Sequence, residues 1–92
     1  MNRSVIYDYL KHEIDELKIL FYKHGRGYVV KFVPEVWTKF TQVIINEWYI
    51  ENFYSITLMI QGIAIRSETD EMEVFIRYKD INKFEVQIEE ID

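Results

Sequence analysis

The last third of the chain alternates apolar and polar side chains with a period of two, and this pattern constrains it to extended strands. The apolar positions fall into three runs: Ile56, Leu58, Ile60, Ile63 and Ile65; Met72, Val74, Ile76 and Tyr78; and Phe84, Val86 and Ile88. The shift of phase after Ile60 predicts a β-bulge at Gln61-Gly62. We therefore predict a three-stranded antiparallel meander, in which the hairpin loop 79–83 places Arg77 opposite Glu85.

The first quarter of the chain has helical rather than strand periodicity. Its apolar residues recur at spacings of three and four, at Ile6, Leu10, Ile14, Leu17 and Phe21. Asn2 or Ser4 can serve as the N-cap, and Gly25 suits the position that follows the last turn. These signals predict a helix over 4–24. The β-branched and aromatic run that follows predicts a strand over 28–33.

The segment 35–50 fits two structures. Pro34-Glu35 suits the first turn of a helix, and helical spacing is followed by Val36, Trp37, Phe40, Val43, Ile44 and Trp48. A strand fits nearly as well, because the segment is rich in β-branched residues: Thr38, Thr41, Val43, Ile44 and Ile45. We favour the helix. The predicted fold is a single α+β domain over 1–92, in which an N-terminal helix and a second helix pack on one face of a small antiparallel sheet, made of the C-terminal meander and the strand 28–33.

Composition bounds the class of protein. Among 92 residues, 49% are hydrophobic and 16% are aromatic, which excludes intrinsic disorder. No apolar run approaches the roughly 18 residues of a membrane span, and the N-terminal residues contain no signal-peptide core. The chain has no cysteine, so nothing indicates an oxidising compartment, and we expect a cytoplasmic protein. Abundant Ile and Lys with a single Ala indicate a low-GC bacterium, its phage or a mobile element.

Charge is distributed unevenly along the chain. Residues 1–46 carry seven basic and five acidic side chains, whereas residues 47–92 carry four basic and eleven acidic ones. The acidic half could resemble a phosphate backbone and block a nucleic-acid-binding groove. We therefore consider an acidic mimic of nucleic acid as one alternative function, acting through Glu68, Asp70, Glu71 and Glu73.

The segment 18–39 interleaves basic and aromatic residues, which is typical of proteins that bind single-stranded nucleic acid. Its candidate contacts are Lys23, Arg26, Tyr28 and Lys31. Because the chain has a net charge of −5, the electrostatic attraction to phosphate is weak. A binder of single-stranded RNA or DNA is therefore a second alternative, and it ranks below a protein partner.

The densest aromatic run predicts a protein–protein interface. Its anchors are Trp48, Tyr49, Phe53 and Tyr54, residue types that are favoured at interfaces. A domain of this size gains little stability from its own core, so we expect a homodimer. Such a dimer would let the basic surface of 18–39 meet the acidic surface of 68–92.

The sequence offers little for catalysis. Asp8, His12 and Glu16 would share one helical face and could approach a metal ion, but a solvated face with paired charges explains them better. Neither a serine-nucleophile motif nor a phosphate-binding glycine pattern occurs. We predict a small non-enzymatic regulatory protein that has no metal, no cofactor and no small-molecule substrate.

Overall fold

The computed structural model describes residues 1–35, 39–68 and 73–90, which form one α-helix and eight strands. The elements are α1 (Arg3–Glu13), β1 (Leu17–His24), β2 (Gly27–Pro34), β3 (Lys39–Ile45), β4 (Trp48–Glu51), β5 (Phe53–Leu58), β6 (Gly62–Ser67), β7 (Glu73–Arg77) and β8 (Phe84–Glu90). A five-stranded antiparallel sheet has the order β1-β2-β5-β6-β7, and a three-stranded antiparallel sheet has the order β4-β3-β8.

A shared hydrophobic core is built from both sheets and α1. Ile6 and Leu10 of α1 are fully buried in it, and the ring of Tyr7 packs edge-on against Phe32 at 5.9 Å. Across the five-stranded sheet, one core-facing row consists of Ile19, Phe32, Ile56, Ile65 and Val74. Because side chains alternate along each strand, the residues between these point to the opposite side. We call that side of each sheet its outer face.

The predicted helix over 4–24 is wrong in its second half, because α1 ends at Glu13 and the following residues form β1. A spacing of four keeps two residues on one face of a strand as well as of a helix, so Leu17 and Phe21 satisfy both patterns. Gly25, expected after a helix, instead begins the two-residue turn between β1 and β2, where its φ of 61° suits a glycine.

Two other expectations about this region are confirmed. The Oδ1 atom of Asn2 caps α1 by accepting a hydrogen bond from the N–H of Val5 at 2.9 Å. The strand expected over 28–33 lies within β2. Within the described ranges, no helix has the length and apolarity that crossing a membrane requires.

The predicted second helix is also wrong. The described part of 35–50 forms β3 and β4, which are joined by a tight turn at Asn46-Glu47. Positions 36–38 lie outside the described residues. Val43, Ile44 and Ile45 are all buried although they alternate between the two faces of the sheet. The central position of β3 therefore explains why a continuous β-branched run forms a strand here.

The predicted meander is replaced by strands from two sheets, so the two-helix α+β fold is wrong. Gln61-Gly62 lies at the turn of a β5–β6 hairpin and is not a bulge within one strand. β7 pairs with β6, but β8 pairs with β3, so Arg77 does not face Glu85. The cause is the 3-10 turn Tyr78–Asp80, which carries the chain from one sheet to the other. Alternation alone cannot reveal which sheet a strand joins.

Candidate functional site

A row of side chains runs across all five strands on the outer face of the five-stranded sheet. In strand order, this outer row is Leu20, Lys31, Thr57, Ala64 and Phe75. Phe75 at one end is 49% exposed, and Leu20 at the other is half-buried. Tyr22, which follows Leu20 on the same face of β1, is 47% exposed. The face therefore presents an aromatic ring near each of its edges.

Cationic side chains lie on the same face. They are Lys18, Lys31, Arg66 and Arg77, as the strand register shows. The Nζ atom of Lys31 lies 6.0 Å from the ring centroid of Tyr22, and the Cζ atom of Arg66 lies 5.7 Å from that of Tyr54. Among the described strand residues of this face, one is acidic. It is Glu73, whose Oε2 atom is 3.7 Å from Nε of Arg66. The face is thus basic and aromatic.

A shallow cavity of about 300 Å³ extends this surface beside the ring of Phe75. Its lining is His24, Val29, Met59, Ile60, Gln61 and Phe75. Ile60, in the turn between β5 and β6, is 72% exposed. The exposed apolar surface therefore continues from the outer row to this end of the sheet.

The outer face of the three-stranded sheet is acidic. The carboxylates on it are Glu51, Glu85 and Glu89. Ile44 and Gln42 lie between them on the central strand, and Tyr49 is next to Ile44 on the edge strand. The two outer faces thus have opposite charge.

The four residues predicted to anchor an interface are not brought together. Trp48 and Tyr49 are 51% and 59% exposed, but as neighbours in β4 they point to opposite faces. Phe53 is 2% exposed and belongs to the core. Tyr54 is half-buried at an irregularity in β5, where its ring faces Arg66. The aromatic run therefore contributes to three different surfaces and to the core.

The residues predicted to contact nucleic acid are also divided. Lys23 and Tyr28 are direct partners near the β1–β2 turn, on the core-side face, where Tyr28 is 65% exposed. Arg26 lies in the turn itself. Lys31 lies on the outer face with Tyr22. Only Lys31 of these four residues belongs to the basic and aromatic face described above.

The structure describes two of the four residues predicted to form an acidic surface, Glu68 and Glu73. Glu68 is exposed beyond the end of β6 and Glu73 pairs with Arg66, whereas Asp70 and Glu71 lie outside the described residues.

Asp8 and His12 are on α1, but Glu16 follows its end, so the three do not share a helical face. In the part of the chain that the structure describes, no cluster of three or more His, Asp or Glu residues could hold a metal ion.

Two tyrosines have shifted pKa values, and the hydroxyl group of each is partly buried and hydrogen-bonded to the backbone. Burial raises the pKa of Tyr78 to about 12, against a smaller opposing effect of Arg3. Its hydroxyl donates a hydrogen bond to the carbonyl oxygen of Met59 at 2.6 Å. Burial likewise raises the pKa of Tyr9, whose hydroxyl bonds to the backbone of Val86. Both hydroxyl groups therefore hold elements of the fold together.

Most of the basic and aromatic face could not be predicted from the sequence, because the apolar spacing of β1 fits a helix as well as a strand. As a helix, 17–24 would distribute Lys18, Leu20 and Tyr22 around its circumference; as a strand it aligns them on one face. The signal that could have found the face is Gly25-Arg26, a two-residue hairpin turn between two β-rich runs. No protein-family model, curated protein or solved structure matches this chain.

Proposed function

We propose that this chain is a non-enzymatic interaction protein that binds an acidic protein partner through the outer face of its five-stranded sheet. The observation that carries the proposal is the outer row, with exposed aromatic rings near both edges and cations around it. Protein interfaces favour such aromatic and arginine anchors with a polar periphery. The positive charge of Lys18, Lys31 and Arg77 favours a partner surface rich in Asp and Glu.

The sequence supports the wider setting of this proposal. Cysteine-free composition and the low-GC character favour a cytoplasmic regulator from a bacterium, its phage or a mobile element. Such a protein would act by binding to its partner rather than by catalysing a reaction.

The test compares two double charge reversals that change net charge by the same amount. Lys18→Glu/Arg77→Glu removes cations from the proposed face, whereas Lys79→Glu/Lys83→Glu reverses two exposed lysines elsewhere. Tagged forms of the unmodified chain and both variants are used to isolate partners from the source organism. Each captured protein is then purified and its affinity is measured by calorimetry.

We expect one acidic protein to be captured by the unmodified chain and by the second variant, but not by the first. Its affinity for the first variant should fall at least about tenfold, because two charge pairs at the interface become repulsive. The proposal fails if no captured protein distinguishes the two variants, or if the purified partner binds both equally.

Single-stranded nucleic acid is the second candidate for the same face. The positions of Lys31 over Tyr22 and of Arg66 over Tyr54 favour it, because such proteins combine cations with rings on which bases stack. Titration of a labelled oligothymidylate or oligouridylate should show binding that weakens steeply with salt and is lost in Lys18→Glu/Arg77→Glu. An unchanged fluorescence anisotropy at low salt eliminates this candidate.

A further inference from the structure

The free edge of β1 offers backbone groups that the proposed function does not use. β1 spans Leu17–His24, one of the two longest strands of the described chain, and it lies at the edge of the five-stranded sheet. Phe21 and Tyr22, which are 62% and 47% exposed, point to opposite faces of this edge. A long edge strand with exposed apolar residues is a template for pairing with another strand.

The backbone groups of this edge are free in a regular pattern. The N–H of Glu35 donates to the carbonyl oxygen of Glu16 at 2.9 Å, which makes these two residues a hydrogen-bonded pair. The next pair, Leu17 with Pro34, is then not hydrogen-bonded, as required because proline has no N–H. By this alternation, the N–H and C=O groups that point away from β2 belong to Leu17, Ile19, Phe21 and Lys23. No described residue hydrogen-bonds to them.

Two other edges are protected by side chains. The hydroxyl of Tyr9 occupies the middle of the β8 edge, where it accepts a hydrogen bond from the N–H of Val86 at 2.9 Å and donates to its carbonyl oxygen at 3.4 Å. On the short strand β4, the carbonyl oxygen of Glu51 accepts a hydrogen bond from Oγ of Ser67 at 2.9 Å. β1 has no such protection within the described residues, although it is longer than either.

We propose that two copies of this chain associate by antiparallel pairing of their β1 strands about a two-fold axis at Leu20. Leu20 then lies opposite Leu20 of the second copy, Ile19 lies opposite Phe21, and Lys18 lies opposite Tyr22. In this register the free backbone groups of each copy meet those of the other, because Ile19 and Phe21 both direct theirs outward. The two five-stranded sheets become one continuous sheet.

The side chains support this register. Paired residues lie on the same face of the joined sheet, as antiparallel pairing requires. On the core side, Phe21 is covered by Ile19 of the second copy. On the outer face, the cation of Lys18 meets the ring of Tyr22, a favourable contact. No two lysines are opposed, because Lys23 lies opposite Leu17.

This association does not depend on the proposed acidic partner. It places the two outer faces side by side and leaves each outer row open beyond Leu20. A dimer without a partner, or a partner bound to a monomer, would therefore separate the two proposals.

The first test measures molar mass by sedimentation equilibrium across a micromolar to millimolar series. We expect the unmodified chain to reach the mass of two copies, and Leu20→Lys to keep the mass of one, because it puts like charges directly opposite each other. Thr57→Lys adds the same charge to the same face two strands away and should still form the dimer. A monomeric unmodified chain at the highest concentration, or a dimeric Leu20→Lys variant, overturns the proposal.

The second test determines the register of the paired strands with an engineered disulfide. The chain has no cysteine, so an introduced cysteine can form a disulfide only with its copy in the second chain. Leu20 forms a non-hydrogen-bonded pair across the axis, where Cα atoms approach to about 4.5 Å, within the range of disulfides. Leu20→Cys should therefore give a covalent dimer on mild oxidation. Tyr22→Cys should not, because its two copies lie four residues apart in the register. A Leu20→Cys variant that stays uncrosslinked at concentrations where the chain is dimeric contradicts the register.

Discussion

The ring of Phe75 lies over the α-carbon of Gly62 on the neighbouring strand. A methyl group at Gly62 would be 2.8 Å from Cζ of Phe75 and would clash with the backbone oxygen of Ile76. Gly62 therefore supplies the space in which β7 and its exposed aromatic ring approach β6. Aromatic residues are known to cover glycines in neighbouring strands in this way.

We expect Gly62→Ala to lower the free energy of unfolding by about 1–3 kcal/mol, because backbone and ring must both move to admit the methyl group. Urea unfolding followed by tryptophan fluorescence measures this change. Gly27→Ala is the control: it also adds a methyl group at the start of a strand, but no atom beyond its chain neighbours lies within 4 Å of it. Equal effects of the two substitutions would contradict the close approach.

The Tyr9 hydroxyl predicts a second loss of stability. In Tyr9→Phe, the N–H and C=O of the buried residue Val86 lose their partner. We expect a loss of about 1–3 kcal/mol in the free energy of unfolding, the usual effect of leaving a buried polar group unpaired. Tyr7→Phe is a matched control on the same helix, since the Tyr7 contact is made by its ring. A Tyr9→Phe variant as stable as Tyr7→Phe would show that the hydroxyl bond contributes nothing.

Two buried serines should respond to alanine with opposite signs. The Oγ atom of Ser55 is buried without a hydrogen-bond partner, whereas that of Ser67 donates to the carbonyl oxygen of Glu51. Ser55→Ala should raise the free energy of unfolding, by up to about 1 kcal/mol, because it removes an unpaired buried hydroxyl. Ser67→Ala should lower it by about 1 kcal/mol. Destabilisation of the same size in both variants would refute this assignment.

Local patterns in the sequence predicted several strands but not their partners. The alternation of Val74 and Ile76, and that of Phe84, Val86 and Ile88, identified β7 and β8. The same alternation could not show that β8 joins β3, because each apolar face fits either sheet. The deciding element is the turn at Tyr78–Asp80, whose buried tyrosine bonds to Met59 far away in the chain.

The residues of the candidate site could likewise be predicted only in part, because strand pairing decides which of them share a face. Lys31 was identified from the sequence, but Tyr22 and Phe75 were not, because they lie in strands β1 and β7 at opposite edges of one sheet. Their common face arises from pairings between β2, β5 and β6 in the middle of that sheet. The period of a single segment carries no information about such pairings.

Tyr78 predicts how stability changes with alkaline pH. Its pKa is about 12 in the folded chain and about 10 in an unfolded one, because burial disfavours the phenolate. The folded state therefore holds this proton more tightly, and the resulting stability is complete below pH ~10 and is lost as pH rises towards 12. We expect the urea midpoint to fall steeply over this interval.

In Tyr78→Phe the urea midpoint should be lower at neutral pH, since the hydrogen bond to Met59 is lost, but its further fall above pH ~10 should be smaller. Tyr9 also has a raised pKa and remains in this variant, so part of the fall should persist. If both proteins lose stability equally between pH ~10 and 12, Tyr78 is not the group whose ionisation drives the alkaline transition.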